Sequence, residues 1–405
     1  MTSTDIAPAH ELVAQGAALA LAGQLAESWR DSAAERDRER AFPHEEIARL
    51  KASGLQALGV PCEHGGPGTS YGDRARTLGR LAETDPSIAQ IYLVQLFWSE
   101  VVNYAAPQAL KQEFNQRIVD GDLWLGNAAS EIGTKTSVQS SLTISSSGSD
   151  WLINGRKFYC TGSLAADELV VTGVDPATEQ HRLAFVGVDA EGLTIIDDWS
   201  GLGQRGTASG SIEFVNVRVP AARVPDPAGF MDVFESRTSM ITVLAQNFFA
   251  AIYTGIAKNA LHDAIDYVTA RARPWFQSGV DRASDDPHVL RHVGRMKAQL
   301  DATEALKEQA FDVMDDACAA PSEEARGLAI VEASKAKLMA TEVGLEICER
   351  LFQICGASST VAKYDMDRHW RNMRTLTLHD PVDYKAQLIG DHVLNGRFPE
   401  VSYYT

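Results

Sequence analysis

An α+β fold in three parts is expected from three observations on the 405-residue chain. Apolar residues recur at helical spacing up to about residue 121, short β-rich runs fill 123–219, and long helical segments return from about 231. The layout expected is an N-terminal α-helical domain (1–121), a middle antiparallel β-barrel domain (122–228) and a C-terminal four-helix bundle (229–405).

The N-terminal part opens with a helical pattern from His10 to Arg30. Phe42-Pro43-His44-Glu45-Glu46 is a helix start leading into Ile47, Leu50 and Leu55. A Gly/Pro-rich break at 60–68 follows, then helices over roughly 72–83 and 88–104, separated by Asp85-Pro86-Ser87. In the middle part, strands are expected at 141–144, 151–153, 168–172, 183–188 and 211–214, with Asn154-Gly155 and Glu191-Gly192 as turns between them. The bundle helices are expected near 236–272, 288–317, 324–355 and 382–394.

Charge and composition narrow the function. A net charge of −17 repels phosphate backbones and anionic membrane faces. The most apolar stretch, Met240 to Ala260, is interrupted by Gln246, Asn247, Thr254 and Gly255, which suits a buried helix better than a membrane span. The N-terminal residues lack a basic region followed by an apolar run, so a cytoplasmic protein is expected. Five cysteines without a C-x-x-C pair suggest reduced thiols and no metal site. Gly201-Leu202-Gly203-Gln204-Arg205-Gly206 matches G-x-G-x-x-G, but it leads into a strand rather than a helix, so it is not expected to hold a dinucleotide. Reducing equivalents for any redox chemistry would then come from another protein.

Five segments in order resemble the acyl-CoA dehydrogenase superfamily over nearly the whole chain. They are Phe42-Pro43 with 54–61 and Gly65-Gly66; 153–162, ending Lys157-Phe158-Tyr159-Cys160-Thr161-Gly162; 199–207; Gly255 to Leu261 with Arg273-Pro274-Trp275-Phe276; and Gln353-Ile354-Cys355-Gly356-Ala357. The segment 367–385, containing Leu378-His379-Asp380-Pro381, looks like the dibenzothiophene monooxygenase group within it, as does the ending Gly396 to Glu400. The resemblance implies the acyl-CoA dehydrogenase fold, reduced FMN (FAD as the alternative), O2, a separate NAD(P)H:flavin reductase, a small-molecule substrate oxygenated most often at sulfur, and a homotetramer.

A dehydrogenase of this superfamily needs a glutamate base to remove a carbon-bound proton. One family position for it corresponds here to Asp380, preceded by His379 and followed by Pro381; the other lies before Gly255, and no acid occurs between Glu235 and Asp263. The resemblance therefore favours an oxygenase, with nitrogen or aromatic carbon as other targets. A dehydrogenase using Asp380 as base, and a structural protein without activity, are the competing readings.

Carried over residue by residue, the resemblance makes His379 the proton carrier, because imidazole titrates near neutral pH. Its alternative is a helix cap. Asp380 either orients His379 or contacts the flavin directly, and its alternative is an N-cap before Pro381. Tyr159, Cys160 and Thr161 are expected to face the flavin, with Ser163 a substitute for the weak thiol donor; Cys160 is equally a packed strand residue. Asn127 is expected at the pyrimidine edge of the ring and Trp199 beside it, or in the core. Arg273 is expected on the flavin phosphate, or in a surface ion pair, and Gly356, Ala357 and Ser358 on the same phosphate from a neighbouring subunit. Tyr92, Gln95, Leu96, Trp98 and Phe248, with Phe249, are candidates for the substrate pocket, or for ordinary core.

Overall fold

The computed structural model describes residues 16–133 and 140–405. Five helices come first: α1 (Ala17–Glu39), α2 (His44–Ala52), α3 (Tyr71–Ala82), α4 (Pro86–Ala105) and α5 (Gln108–Val119). The start of the helix expected from His10 lies outside the described residues. Seven strands follow: β1 (Leu125–Ala128), β2 (Thr143–Ser147), β3 (Asp150–Lys157), β4 (Glu168–Val174), β5 (His181–Gly187), β6 (Leu193–Ile196) and β7 (Ser211–Pro220). The last part holds α6 (Pro227–Glu235), the long α7 (Ile241–Ala270), α8 (Pro287–Ala319) and α9 (Glu323–Cys355), then α10 (Asp367–Thr377) and α11 (Val382–Asn395). No described helix is long and apolar enough to cross a membrane.

Helix starts follow the local chemistry. Asp85, Asp226 and Asp286 each precede a proline at the first helical position and accept backbone N–H groups, and Ser70 and Ser322 cap α3 and α9 in the same way. Helix α7 is buried along most of its length because α3, α4, α8, α9 and α10 all pack on it. One continuous core therefore joins the N-terminal helices to the bundle, and a second lies between α4, α5, α6 and the sheet.

The sheet corrects three expectations. It is mixed rather than antiparallel: β1 and β2 both run parallel to β4, while β2–β3, β3–β7, β4–β5 and β6–β7 are antiparallel. The β2–β3 hairpin intervenes between β1 and β4 in the chain and provides the crossover that parallel neighbours need. Among the described residues β6 pairs only with β7 and β5 only with β4, so pairing does not close a barrel; the sheet is curled. Asn154-Gly155 is no turn but a bulge inside β3, where the register against β7 shifts and Gly155 takes φ 140°. The Asn154 side-chain oxygen accepts the N–H of Asn216 at 2.7 Å, which pins the bulge to β7.

The glycine-rich 201–206 loop docks on α10. A Cβ on Gly203 would lie 2.1 Å from the carbonyl oxygen of Arg371, so only glycine permits this approach. Gly203→Ala is expected to cost about 1–3 kcal/mol through forced backbone movement, read as a lower denaturant midpoint; an unchanged midpoint would remove this account of the loop.

Candidate active site

After β3 the chain turns sharply. Tyr159 is left-handed (φ 57°) and 50% exposed, and Gln204 and Ala208 on the neighbouring loop are also left-handed at φ 53° and 47°. Such conformations are uncommon outside glycine and concentrate at functional sites. Phe158, Tyr159 and Trp199 form an aromatic cluster, with ring centroids 4.7 to 6.2 Å apart.

A chain of hydrogen bonds runs through this wall. Trp98 Nε1 donates to Asn127 Oδ1 at 3.2 Å, and Asn127 Nδ2 donates to the carbonyl of Tyr159 at 3.1 Å. Thr161 Oγ1 lies 2.8 Å from Ser209 Oγ, which lies 2.7 Å from Thr207 Oγ1. Thr207 Oγ1 donates to the carbonyl of Gln204 at 2.9 Å, and Trp199 Nε1 donates to the same oxygen at 2.8 Å. Each hydroxyl has one hydrogen. Thr207 spends its hydrogen on Gln204, so Ser209 donates to Thr207 and Thr161 donates to Ser209. Thr161 thus offers a visitor lone pairs only. Ser163 Oγ donates to the carbonyl of Ala208 at 3.3 Å and braces the same loop.

Helix α10 joins this wall to the histidine. Asn372 Oδ1 accepts the N–H of Gln204 at 2.5 Å and Thr375 Oγ1 that of Gly203 at 2.8 Å. Past the end of α10, the His379 ring packs 4.2 Å from that of Phe249 on α7, with Tyr404 5.9 Å away. His379 Nδ1 is 3.4 Å from Asp380 Oδ1. The side chain is 44% exposed, and Nε2 has no partner among the described residues. Desolvation of the ring, with the ammonium groups of Lys337 and Lys385, lowers its pKa against the opposing pull of Asp380.

Asp380 is not the N-cap that Asp-Pro suggests, for no side chain caps α11. Its carboxylate is buried and turns inward to two lysines: Lys337 of α9 at Oδ1 and Lys385 of α11 at Oδ2, the latter at 3.1 Å. Burial raises its pKa, but the His379 hydrogen bond and both ammonium groups outweigh that and hold it far below the usual carboxylate range.

Several expected site residues lie elsewhere. Cys160 points into the β-domain core, where burial pushes its thiol up to about 12, so it is no catalytic group. Tyr92 is core: its hydroxyl is taken by the carbonyl of Leu55 at 2.6 Å and its ring lies by Trp124. Leu96 and Phe248 are fully buried in the same core, and Phe249 is the residue that reaches His379. Gln95 accepts the N–H of Leu125 at 2.7 Å and fixes α4 to β1 instead of lining a pocket. Of the five substrate candidates only Trp98 joins the site.

Arg273 is exposed and has no ion pair or hydrogen bond among the described residues. Gly356, Ala357 and Ser358 are likewise exposed, following α9. Arg273 follows the C-terminus of α7, 21 residues and so about 30 Å along the axis from Phe249 to Ala270. That exceeds the reach of one flavin mononucleotide from the His379 wall of the same chain.

Sequence reasoning missed Lys337, Lys385, Gln204, Thr207, Ser209, Asn372 and Thr375. Lys337 carried a signal: it interrupts a buried apolar stripe of α9 (Ile330, Ala333, Ala336, Ala340, Gly344, Ile347) where a lysine is out of place without a partner.

The chain matches the family profiles "Acyl-CoA dehydrogenase, N-terminal domain" over residues 16–122 and "Acyl-CoA dehydrogenase, C-terminal domain" over 247–384. Dibenzothiophene monooxygenase of Rhodococcus erythropolis is 34% identical over 391 residues, covering 94% of each chain. The probable FMNH2-dependent monooxygenase SfnC of Pseudomonas putida is 34% identical over 395 residues, covering 96% of this chain and 97% of its own. Among solved structures, TdsC of Paenibacillus sp. A11-2 with FMN and indole superposes with TM-score 0.89 at 32% identity, over 96% of this chain and 100% of that one. Methanesulfinate monooxygenase MsuC of Pseudomonas fluorescens superposes with TM-score 0.88 at 31% identity, over 96% and 99%. The fold and the sequence thus make the protein a member of the acyl-CoA dehydrogenase family. Within that family the chain belongs with the dibenzothiophene monooxygenase group.

Proposed function

We propose that this protein is the oxygenase of a two-component system, taking reduced FMN from a separate NAD(P)H:flavin reductase and oxygenating a small organosulfur compound at sulfur. In the balanced reaction one atom of O2 bonds to a sulfur lone pair. The other leaves as water with the two hydrogens of FMNH2, and FMN remains. The observation that carries the reading is the state of Asp380. The acid nearest the position of a dehydrogenase base is bound by two lysines, and the group left open beside it is an imidazole. Sulfur is favoured because relatives of similar identity are named dibenzothiophene and methanesulfinate monooxygenases.

The residues present fit a flavin mononucleotide. Thr161 is acceptor-only, which suits the ring N–H of the reduced form. Arg273 is a guanidinium without a partner in its own chain among the described residues. When bound, the cofactor supplies the electrons and the oxygen chemistry. Asn127, Tyr159, Thr161 and Trp199 hold the ring side, and Ser163 braces their loop. Trp98 and Phe249 wall the substrate space and limit water. Arg273, with Gly356, Ala357 and Ser358, serves the phosphate of a flavin bound by another copy in a homotetramer, a reading supported by the separation along α7. His379 holds or accepts a proton at Nε2.

The test supplies FMNH2 from an added reductase under 18O2 with dibenzothiophene, methanesulfinate and indole in parallel. One 18O atom on sulfur is the expected product. Flavin bleaching by an acyl-CoA, with no oxygenated product from any of the three, overturns the reading; label on indole alone moves the target from sulfur.

A further inference from the structure

We propose that Lys337 is a positioning residue for His379: by holding the Asp380 carboxylate on one side and the Phe249 ring on the other, it fixes the imidazole with Nδ1–H toward Asp380 and the Nε2 lone pair toward the open cleft. This rests on the oxygenase reading for its purpose, but not for its geometry.

The arrangement is built from three helices and the tail. Lys337 of α9 is fully buried and donates to Asp380 Oδ1 and to Gln246 Oε1 of α7, the latter at 2.7 Å. Its ammonium lies 4.9 Å from the centroid of Phe249, the ring that packs on His379. Lys385 of α11 takes Asp380 Oδ2 and donates to the carbonyl of Tyr404 at 2.5 Å. Tyr253 of α7 completes the surroundings and donates its hydroxyl to the carbonyl of Leu376 at 2.8 Å. One carboxylate therefore faces two ammonium groups and one imidazole.

This stoichiometry decides the tautomer. An ionised carboxylate only accepts hydrogen bonds, so the imidazole nitrogen facing it carries the hydrogen. The other nitrogen, on the open edge, is left with its lone pair. A lone aspartate beside a histidine would instead favour the imidazolium, which has no lone pair. The two lysines offset that pull and also prevent Asp380 from turning outward as a base. Burial lowers the Lys337 pKa to about 8, with Asp380 opposing that shift, so the ammonium is still the larger fraction at neutral pH. A lysine placed only to stabilise the bundle would leave the histidine titration unchanged when replaced.

The experiment compares Lys337→Gln and Lys337→Arg with the wild-type protein. The His379 titration is followed by NMR of histidine ring Cε1–H signals, assigned by their loss in His379→Gln. In Lys337→Gln the His379 pKa is expected to rise by about one unit, and the acid limb of the oxygenation profile to move up with it. Flavin affinity stays within about twofold, since Lys337 contacts none of the ring-side residues. Lys337→Arg returns both profiles toward wild type. If Lys337→Gln does not fold, Lys385→Gln is read the same way, because it frees the other oxygen of the same carboxylate. An unmoved His379 titration in a folded variant overturns the proposal. If the titration moves but the wild-type protein oxygenates nothing, the clamp stands and the oxygenase reading fails.

Discussion

His379→Ala is expected to lower the rate of oxygenation by about 10²–10⁴-fold, the range for loss of a positioned acid–base group. Reduced-flavin affinity should stay close to wild type. The side chain stands against Phe249 and beyond α10, and none of the hydrogen bonds of Thr161, Asn127 or Trp199 passes through it. The pH dependence has a defined sign. The folded pKa is depressed below the ordinary 6.5, by desolvation first and then by Lys337 and Lys385 against Asp380. The neutral ring with a free Nε2 therefore predominates at neutral pH, and activity that needs it persists below pH 6.5 before falling as the ring protonates. The direction differs from that of a histidine poised as imidazolium, whose activity would fall as pH rises. Steady-state rates from pH 5 to 8 decide between them, and an alanine variant as active as wild type removes His379 from the chemistry.

Arg371→Met is expected to destabilise the fold by about 3–5 kcal/mol, because it breaks a buried ion pair by deleting one partner. Arg371 pairs with Asp37 of α1 at 2.7 Å, Asp365 at 2.8 Å and Asp367 at 2.7 Å, and both Asp37 and Asp365 are buried. Without the guanidinium two buried carboxylates face each other. Burial, with the neighbouring Asp37, already raises the Asp365 pKa to about 6 despite Arg371. A carboxyl with a raised folded pKa disfavours the fold once pH exceeds that value, and the penalty disappears below the unfolded value of 3.8. The variant's deficit should therefore be larger at pH 8 than at pH 5, measured by chemical denaturation at both. An equal deficit at the two pH values would mean that lost packing, not charge, is responsible. Because α10 also carries Asn372 and Thr375, the same variant should loosen the 203–204 loop and weaken flavin binding.

What the amino-acid order revealed depended on whether a feature was local. The bundle helices α7, α8, α9 and α11 were legible from their spacing, and the break before α4 from Asp85-Pro86-Ser87. Asp380-Pro381 misled, because the chemistry that claims Asp380 comes from α9, 43 residues away. Asn154-Gly155 reads as a hairpin turn by local preference, yet pairing with β7 makes it a bulge. Asn127, Tyr159, Thr161 and Trp199 were found through family resemblance, and the structure brings them together. Cys160, one residue from two of them, turns into the β-domain core instead, because the left-handed backbone at Tyr159 redirects the chain there. Tyr92, Leu96 and Phe248 showed that an aromatic-rich helix pattern cannot tell core from pocket. The hydroxyl chain was out of reach, since serines and threonines in a loop give no sign of what they will touch.

That chain has an outcome for how the protein can vary. The character Thr161 shows to an incoming molecule is set three links away, by the carbonyl of residue 204, which receives both Thr207 and Trp199. Residue 204 holds that carbonyl in place by a left-handed backbone that β-branched side chains adopt poorly. A valine there, touching no visitor itself, would unfasten the indole of Trp199 and let three hydroxyl rotors turn freely. Preference at the pocket is thus inherited from the shape of a peptide unit rather than from the side chains that line it.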